Sequence, residues 1–204
     1  GGHAARPHES VDAVVVGSLM VMAIQTIVSR EVNPAHPSVV TVGRFDAGTV
    51  GNVIAGRARL EGSIRAQDQS VREHLHESIR RIARSVGQLH AAAVEVTIDE
   101  GTPPLVNTPE MTAVAREAAI DAVGDPKRVV RMPNANMGGE DFSDYVEKVP
   151  GCYVRFGSQI AGAENFPAHS NRFDFDEGAL AVGAAYYLAV AQTAGRLVAA
   201  NSHD

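Results

Sequence analysis

Apolar and polar positions along the chain change period several times, and each change marks an element. Residues 10–30 carry Val14, Val15, Val16, Leu19, Met20, Met22, Ile24, Ile27 and Val28, which cover more than one face of a helix. Such a helix is expected to be buried on two sides, one against a sheet and one against a partner. Asp12 near its start and Arg30 in its last turn suit the helix dipole, and Pro34 and Pro37 follow its end. Residues 38–45 alternate and are rich in β-branched side chains, which predicts a strand. Residues 46–51 read as a turn and 52–65 as a second strand, so the pair predicts an antiparallel hairpin. Leu75, Ile79, Ile82 and Val86 recur at spacings of three and four, giving an amphipathic helix over 69–89. Its other face carries Arg72, Glu73, Glu77, Arg80, Arg81 and Arg84 and reads as solvated. Alternation returns over 92–98, a third strand.

The order is therefore helix, strand, strand, helix, strand. Adding a strand before Gly1 would complete a split β-α-β-β-α-β unit of ferredoxin-like type, the architecture expected for this half. At 100–106 the composition shifts to turn residues, which places a domain boundary there. Beyond it the pattern predicts a helix over 109–123 with Pro109 in its first turn, and a short strand over 127–132. A glycine-containing loop at 134–142 then enters a short helix that ends before Pro150. A buried strand over 152–156, a loop to 168 and a closing helix from Glu177 complete the chain. The expected fold class is α/β, with residues 1–100 forming one domain and 101–204 another.

Composition narrows the partners. The 204 residues are 45% hydrophobic and 21% charged with net charge −6, as in ordinary soluble globular proteins. With no basic cluster, no nucleic-acid partner is expected. The single cysteine, Cys152, has no partner for an internal disulfide, so a reducing, cytoplasmic setting is expected, with Cys152 as a core thiol in an apolar run. The apolar run 13–24 is only twelve residues long, and the one from 178 carries Gln192 and Arg196. Both read as buried helices, and no membrane partner is expected.

Candidate chemistry gathers at 166–177, Phe-Pro-Ala-His-Ser-Asn-Arg-Phe-Asp-Phe-Asp-Glu. Period two sets Phe173 and Phe175 on one side of the backbone and Asp174 and Asp176 on the other, anchoring a short extended segment at a helix entrance. His169 then sits on a loop that can reach into a cleft, where a neutral imidazole suits a metal. His74 and His76, two apart on a helix, do not share a face and make no metal pair. Neither Cys152 nor any serine sits in a nucleophile elbow.

Five blocks, in order, carry a resemblance: Gly-Gly-His-Ala-Ala-Arg-Pro-His (1–8), Gly-Thr-Val-Gly-Asn-Val-Ile (48–54), Gly-Ser-Ile-Arg (62–65), Met-Gly-Gly-Glu-Asp-Phe (137–142) and Ala-His-Ser-Asn-Arg-Phe-Asp-Phe-Asp-Glu (168–177). Together they resemble the two-metal amidohydrolases that include aminoacylases, hippurate hydrolases, indole-acetyl-amino-acid hydrolases and carboxypeptidase G-type enzymes. The resemblance implies a lid or dimerisation domain at 1–100, lacking its first strand, and the C-terminal part of a catalytic domain at 101–204. It implies hydrolysis of the amide bond of an N-acyl or N-aroyl amino acid, and a homodimer formed through the lid. It also implies two divalent metal ions (zinc, manganese or cobalt), with His169 as the last metal ligand. His3 would reach into the neighbouring subunit's site and stabilise the oxyanion. Asn52 and Arg65 would bind the substrate's carbonyl or carboxylate, and Gly138, Gly139 and Glu140 would line the pocket. Plainer readings stand beside these: a turn-stabilising His3, a strand-end cation at Arg65, and a helix-capping Glu140. The family's Cys-Gly-His-Asp block and paired carboxylates have no counterpart in these residues, so the chain alone is expected to be inactive. The rival class is a dimerisation or binding module without chemistry.

Overall fold

The computed structural model describes residues 1–201. The chain divides into two compact units, Gly1–Pro104 with Ala135–Glu140, and Leu105–Asn134 with the chain from Asp141 onward.

The first unit begins with β1 (Gly2–His3) and a 3-10 turn over Pro7–Glu9. Helix α1 (Ala13–Thr26) starts three residues later than the apolar pattern predicts. Asp12 is its N-cap and accepts from the amides of Val14 and Val15, which fixes the first turn. Near the other end the Thr26 and Ser29 hydroxyls donate back to the carbonyls of Ala23 and Gln25, where the helix widens into a π turn over Ile27–Glu31. Val16, Met20, Ile24 and Ile27 form its buried stripe. Val14, Val15, Leu19 and Met22 stay 41%, 46%, 41% and 69% exposed, so within the described residues α1 is buried on one side only. At 19 residues, Ala13–Glu31 is long and apolar enough to cross a membrane, which the twelve-residue apolar run did not suggest. Its buried stripe packs into the core of its own unit.

Strand β2 (Ser38–Ala47) pairs antiparallel with β4 (Ala58–Ala66), from Ser38 opposite Ala66 to Ala47 opposite Ala58. The predicted second strand is thus two: β3 (Val53–Ile54) leaves the hairpin and pairs with β1. A register shift between Val42 and Arg44 leaves Gly43 as the bulged residue. An extra residue reverses the alternation, so Phe45 turns toward α1 and meets Gly17, where a Cβ would lie 2.7 Å from Phe45 Cζ. Helix α2 (Gln69–Leu89), capped by Asp68, follows the predicted bounds. Its Leu75, Ile82, Ala83 and Val86 join the α1 stripe in one core, against which Val40, Leu60 and Ile64 of the hairpin pack. Glu31 ties the two helices: its carboxylate accepts from Arg81 at 2.6 and 2.7 Å and from the Ser78 hydroxyl at 2.8 Å.

The end of α2 closes with the amide of Ala91 on the Gln88 carbonyl and that of Ala92 on the Gly87 carbonyl, with Ala91 at φ 51°. This is the double bond of a Schellman stop, with alanine where glycine is the usual choice. The predicted third strand follows but is not a strand. Ala92, Val94, Val96 and Ile98 are the partly buried positions and the residues between them are exposed, so the alternation is real. A strand also needs a hydrogen-bonded neighbour, and residues 92–98 have none among the described residues.

The second unit is built on α3 (Pro109–Val123) and α5 (Gly178–Asn201). Pro109 opens α3, and Gly124 at φ 68° closes it. Ala115 and Ala118 pack against Tyr186, with Cys152, Ala189 and Val190 beside them, so Cys152 is a half-buried thiol at a helix contact. Asp176 accepts from the Gly178 amide and caps α5. The expectation that α5 is a buried helix does not hold among the described residues: Leu180, Tyr187 and Leu188 are 64–68% exposed. The segment predicted as a strand at 127–132 instead starts as a 3-10 turn, Pro126–Arg128, because Asp125 caps the Lys127 amide. Residues 152–156 are not a buried strand either; Val154 and Phe156 are exposed. In place of a ladder, the Asn107 side-chain amide accepts from the Tyr153 N–H and donates to the Tyr153 carbonyl. Helix α4 (Phe142–Val146) follows the glycine loop, with Asp141 rather than Glu140 at its N-cap.

Candidate functional site

The β1–β3 ladder brings His3 and Asn52 together. His3 lies opposite Val53, and the Ala4 amide donates to the Asn52 carbonyl at 3.2 Å. Both side chains are exposed. His3 Nδ1 accepts a hydrogen bond from the Ala5 amide at 3.0 Å. A neutral imidazole carries one proton, so this bond leaves it on Nε2, the outward nitrogen. The ring is thereby set as a donor toward whatever lies in front of Nε2. The plainer role of His3, steadying its own turn, is present in the same bond.

A second grouping forms at the far end of the hairpin. Arg65, opposite Val39 in the β2–β4 ladder, extends its guanidinium to the Met137 carbonyl, with Nη1 at 2.9 Å. The Ala135–Glu140 segment belongs to the first unit, so Gly138, Gly139 and Glu140 share a unit with Arg65. A Cβ on Gly139 would lie 3.7 Å from Arg65 Nη1 and 3.6 Å from Thr102 Oγ1, so guanidinium and loop backbone are in van der Waals reach. The Gly138 amide donates to Asn136 Oδ1 at 2.5 Å, a local turn that stiffens the segment.

His169 belongs to the second unit. It is exposed and holds φ 70°, one of two non-glycine residues at positive φ among the described residues. Histidine visits this region more readily than most residues, and such conformations cluster at functional positions. Its loop is closed from outside: Arg172 stacks 3.8 Å above the Phe166 ring and reaches Glu164 at 3.3 Å. The Arg172 amide also donates to the Ser170 hydroxyl. Sequence reasoning gave Arg172 and Phe166 no role, since a contact across an irregular loop has no periodic signal. The Phe173 and Phe175 rings stack at 6.3 Å, as their alternation suggests; residues 171–172 form a turn, and 173–176 have no regular secondary structure.

A two-metal centre needs several donors per ion. Among the described residues no group of three or more His, Cys, Asp and Glu side chains could hold a metal. His169 has the right chemistry for one ligand position, but the residues described here do not make up a two-metal donor set.

The protein-family model "Peptidase family M20/M25/M40" matches residues 3–193. The chain is 34% identical over 204 residues to the N-acetyl-L-cysteine deacetylase of Bacillus subtilis, covering all of this chain and 46% of that protein. It is 36% identical over 157 residues to the N-acetyldiaminopimelate deacetylase of Lactiplantibacillus plantarum, covering 76% of this chain and 40% of that one. Among solved structures, the YXEP protein of Bacillus subtilis, a dinuclear metal binding peptidase from the M20 family, superposes with a TM-score of 0.72. There the identity is 29%, with 91% of this chain and 47% of the other covered. The chain thus spans about half the length of the curated relatives it matches.

Proposed function

Since this chain belongs to the peptidase family M20/M25/M40, we propose that the whole protein is a metal-dependent amidohydrolase that cleaves the amide bond of N-acyl or N-aroyl amino acids. Two relatives named as deacetylases of N-acetylated amino acids support the acyl-amino-acid class. The observation that carries the reading is the fixed His3 ring. With Nδ1 held by the Ala5 amide, Nε2–H is a preset donor for the oxygen that becomes negative as an amide carbonyl is attacked. Asn52, beside it on the ladder, is placed to hold the same carbonyl, and Arg65 has the planar fork that suits the substrate carboxylate. The Gly138–Gly139–Glu140 backbone lines the pocket, where glycine lets a substrate approach closely.

The two divalent metals of this reading (zinc, manganese or cobalt) require donors beyond the described residues, with His169 the ligand this chain contributes. Homodimerisation belongs to the same proposal: the exposed Val14, Val15, Leu19 and Met22 face of α1 fits a second copy of this unit, and His3 of one subunit would serve the neighbouring site. The competing reading, a binding module without chemistry, draws on the lack of such a donor set among the described residues. The two part on one assay of the whole protein: release of amino acid from hippurate and from N-acetyl amino acids, with zinc or manganese and again after chelation. Turnover that chelation abolishes is expected. No turnover on any of these substrates with metal supplied would leave the binding module standing.

A further inference from the structure

Arg65 does something that a substrate-binding arginine need not do. Among the described residues its guanidinium donates to the Met137 carbonyl and forms no ion pair with a carboxylate. The segment it holds is unusual in its placement. Ala135–Glu140 packs with the first unit, while the chain before it, Leu105–Asn134, and the chain from Asp141 belong to the second. The segment is therefore a strap, entered and left by the other unit's chain.

We propose that Arg65 is the positioning residue that fastens this strap, and that substrate binding is coupled to the strap through its guanidinium. The geometry supports each part. Arg65 stands near the end of β4, its backbone in register with β2, so the anchor is fixed at its base. The bond to Met137 spans 72 residues of sequence and draws the strap onto the hairpin. The Asn136 side chain braces the Gly138 amide, so holding 137 also fixes 136–139. A Cβ at 139 would stand in van der Waals contact with the guanidinium, at 3.7 Å, and with Thr102 Oγ1, at 3.6 Å, so the strap backbone lies against the arginine.

A guanidinium carries five N–H donors in a plane, and the strap uses one at Nη1. The others stay available to an arriving carboxylate, so one rigid group holds the pocket wall and reads the substrate together. A lysine, with one compact charge on a flexible stem, does not hold both in a fixed geometry.

The inference deepens the amidohydrolase reading and rests on it for the substrate half only. Hydrogen exchange of the whole protein tests the strap without any activity. In Arg65→Ala and Arg65→Lys, the amides of 136–140 are expected to exchange about tenfold faster, as when a bond from a charged donor is lost. The β2–β4 ladder amides, which report folding, should keep their protection. Unchanged exchange at 136–140 overturns the strap whatever the enzyme does. Kinetics then test the coupling: kcat/KM is compared for an N-acyl amino acid and the corresponding N-acyl amino amide, which lacks the carboxylate. Because the pocket wall is displaced, Arg65→Lys should lower kcat/KM for both substrates, and by more for the carboxylate. Full activity of Arg65→Lys on both, or a loss confined to the carboxylate substrate, overturns the coupling. If the wild-type protein turns over neither substrate, the amidohydrolase reading has failed, and the exchange result still decides the strap.

Discussion

His3, Glu31 and Ala91 show how much one residue's hydrogen bonds decide in this chain. The Ala5 amide fixes the tautomer of His3, and the chemistry proposed for that ring depends on it. Glu31 does the equivalent for structure. Arg81 beside it, by hydrogen bond first, holds its carboxyl below the ordinary glutamate range; the Ser78 hydroxyl and the charges of Arg81 and His74 act the same way, against burial. A carboxyl whose pKa is lower folded than unfolded stabilises above its unfolded pKa and loses that contribution as pH falls through the folded value. Glu31→Gln should therefore lower Tm at pH 7 by about 2–4 °C, for a pair worth about 1 kcal/mol after solvent screening. The gap to wild type should close as pH falls below the carboxylate range. Melting curves at pH 7 and near pH 3 check this, and a gap of equal size at both would contradict it.

At the scale of elements, helix boundaries were legible where capping residues mark them. Asp68 and the charged face fix α2, while Pro109 and Gly124 fix α3, and both match their predicted bounds. The start of α1 was misplaced because Ser10 has the look of a helix start, whereas the side chain that caps the free amides is Asp12. Strands were legible as faces but not as pairings. Residues 92–98 bury every second side chain, yet their backbone finds no ladder among the described residues, since alternation says nothing about a neighbour. The same holds at 152–156, where one asparagine side chain serves Tyr153 in place of a strand. The Gly43 bulge was also invisible, although it decides that Phe45 meets α1. The Gly17–Phe45 contact gives a direct test. A methyl at 17 would overlap the Phe45 ring, so Gly17→Ala should destabilise by about 1–3 kcal/mol despite alanine's higher helix propensity. Urea denaturation measures it; a variant as stable as wild type would mean the ring yields freely.

For the molecule as a whole, the family was written in five short blocks, and the helix-and-sheet architecture agrees with its solved relatives. The placement of the site residues was not. His3 and Asn52, far apart in sequence, are neighbours only through a two-residue ladder, and Arg65 meets Met137 only because the strap packs on the hairpin. No local pattern encodes either contact. The exposed apolar faces of α1 and α5 follow from the same scale, since apolar positions state what is to be covered and not what covers them.

The central claim is that His3 donates from Nε2 to a developing oxyanion, and one measurement bears on it most directly: kcat and KM for hippurate with the whole protein and its His3→Ala variant. The account predicts that kcat falls about 10²–10³-fold while KM changes little, the mark of a donor used in the transition state rather than in substrate binding. Unchanged kcat, or a loss carried entirely by KM, would contradict it.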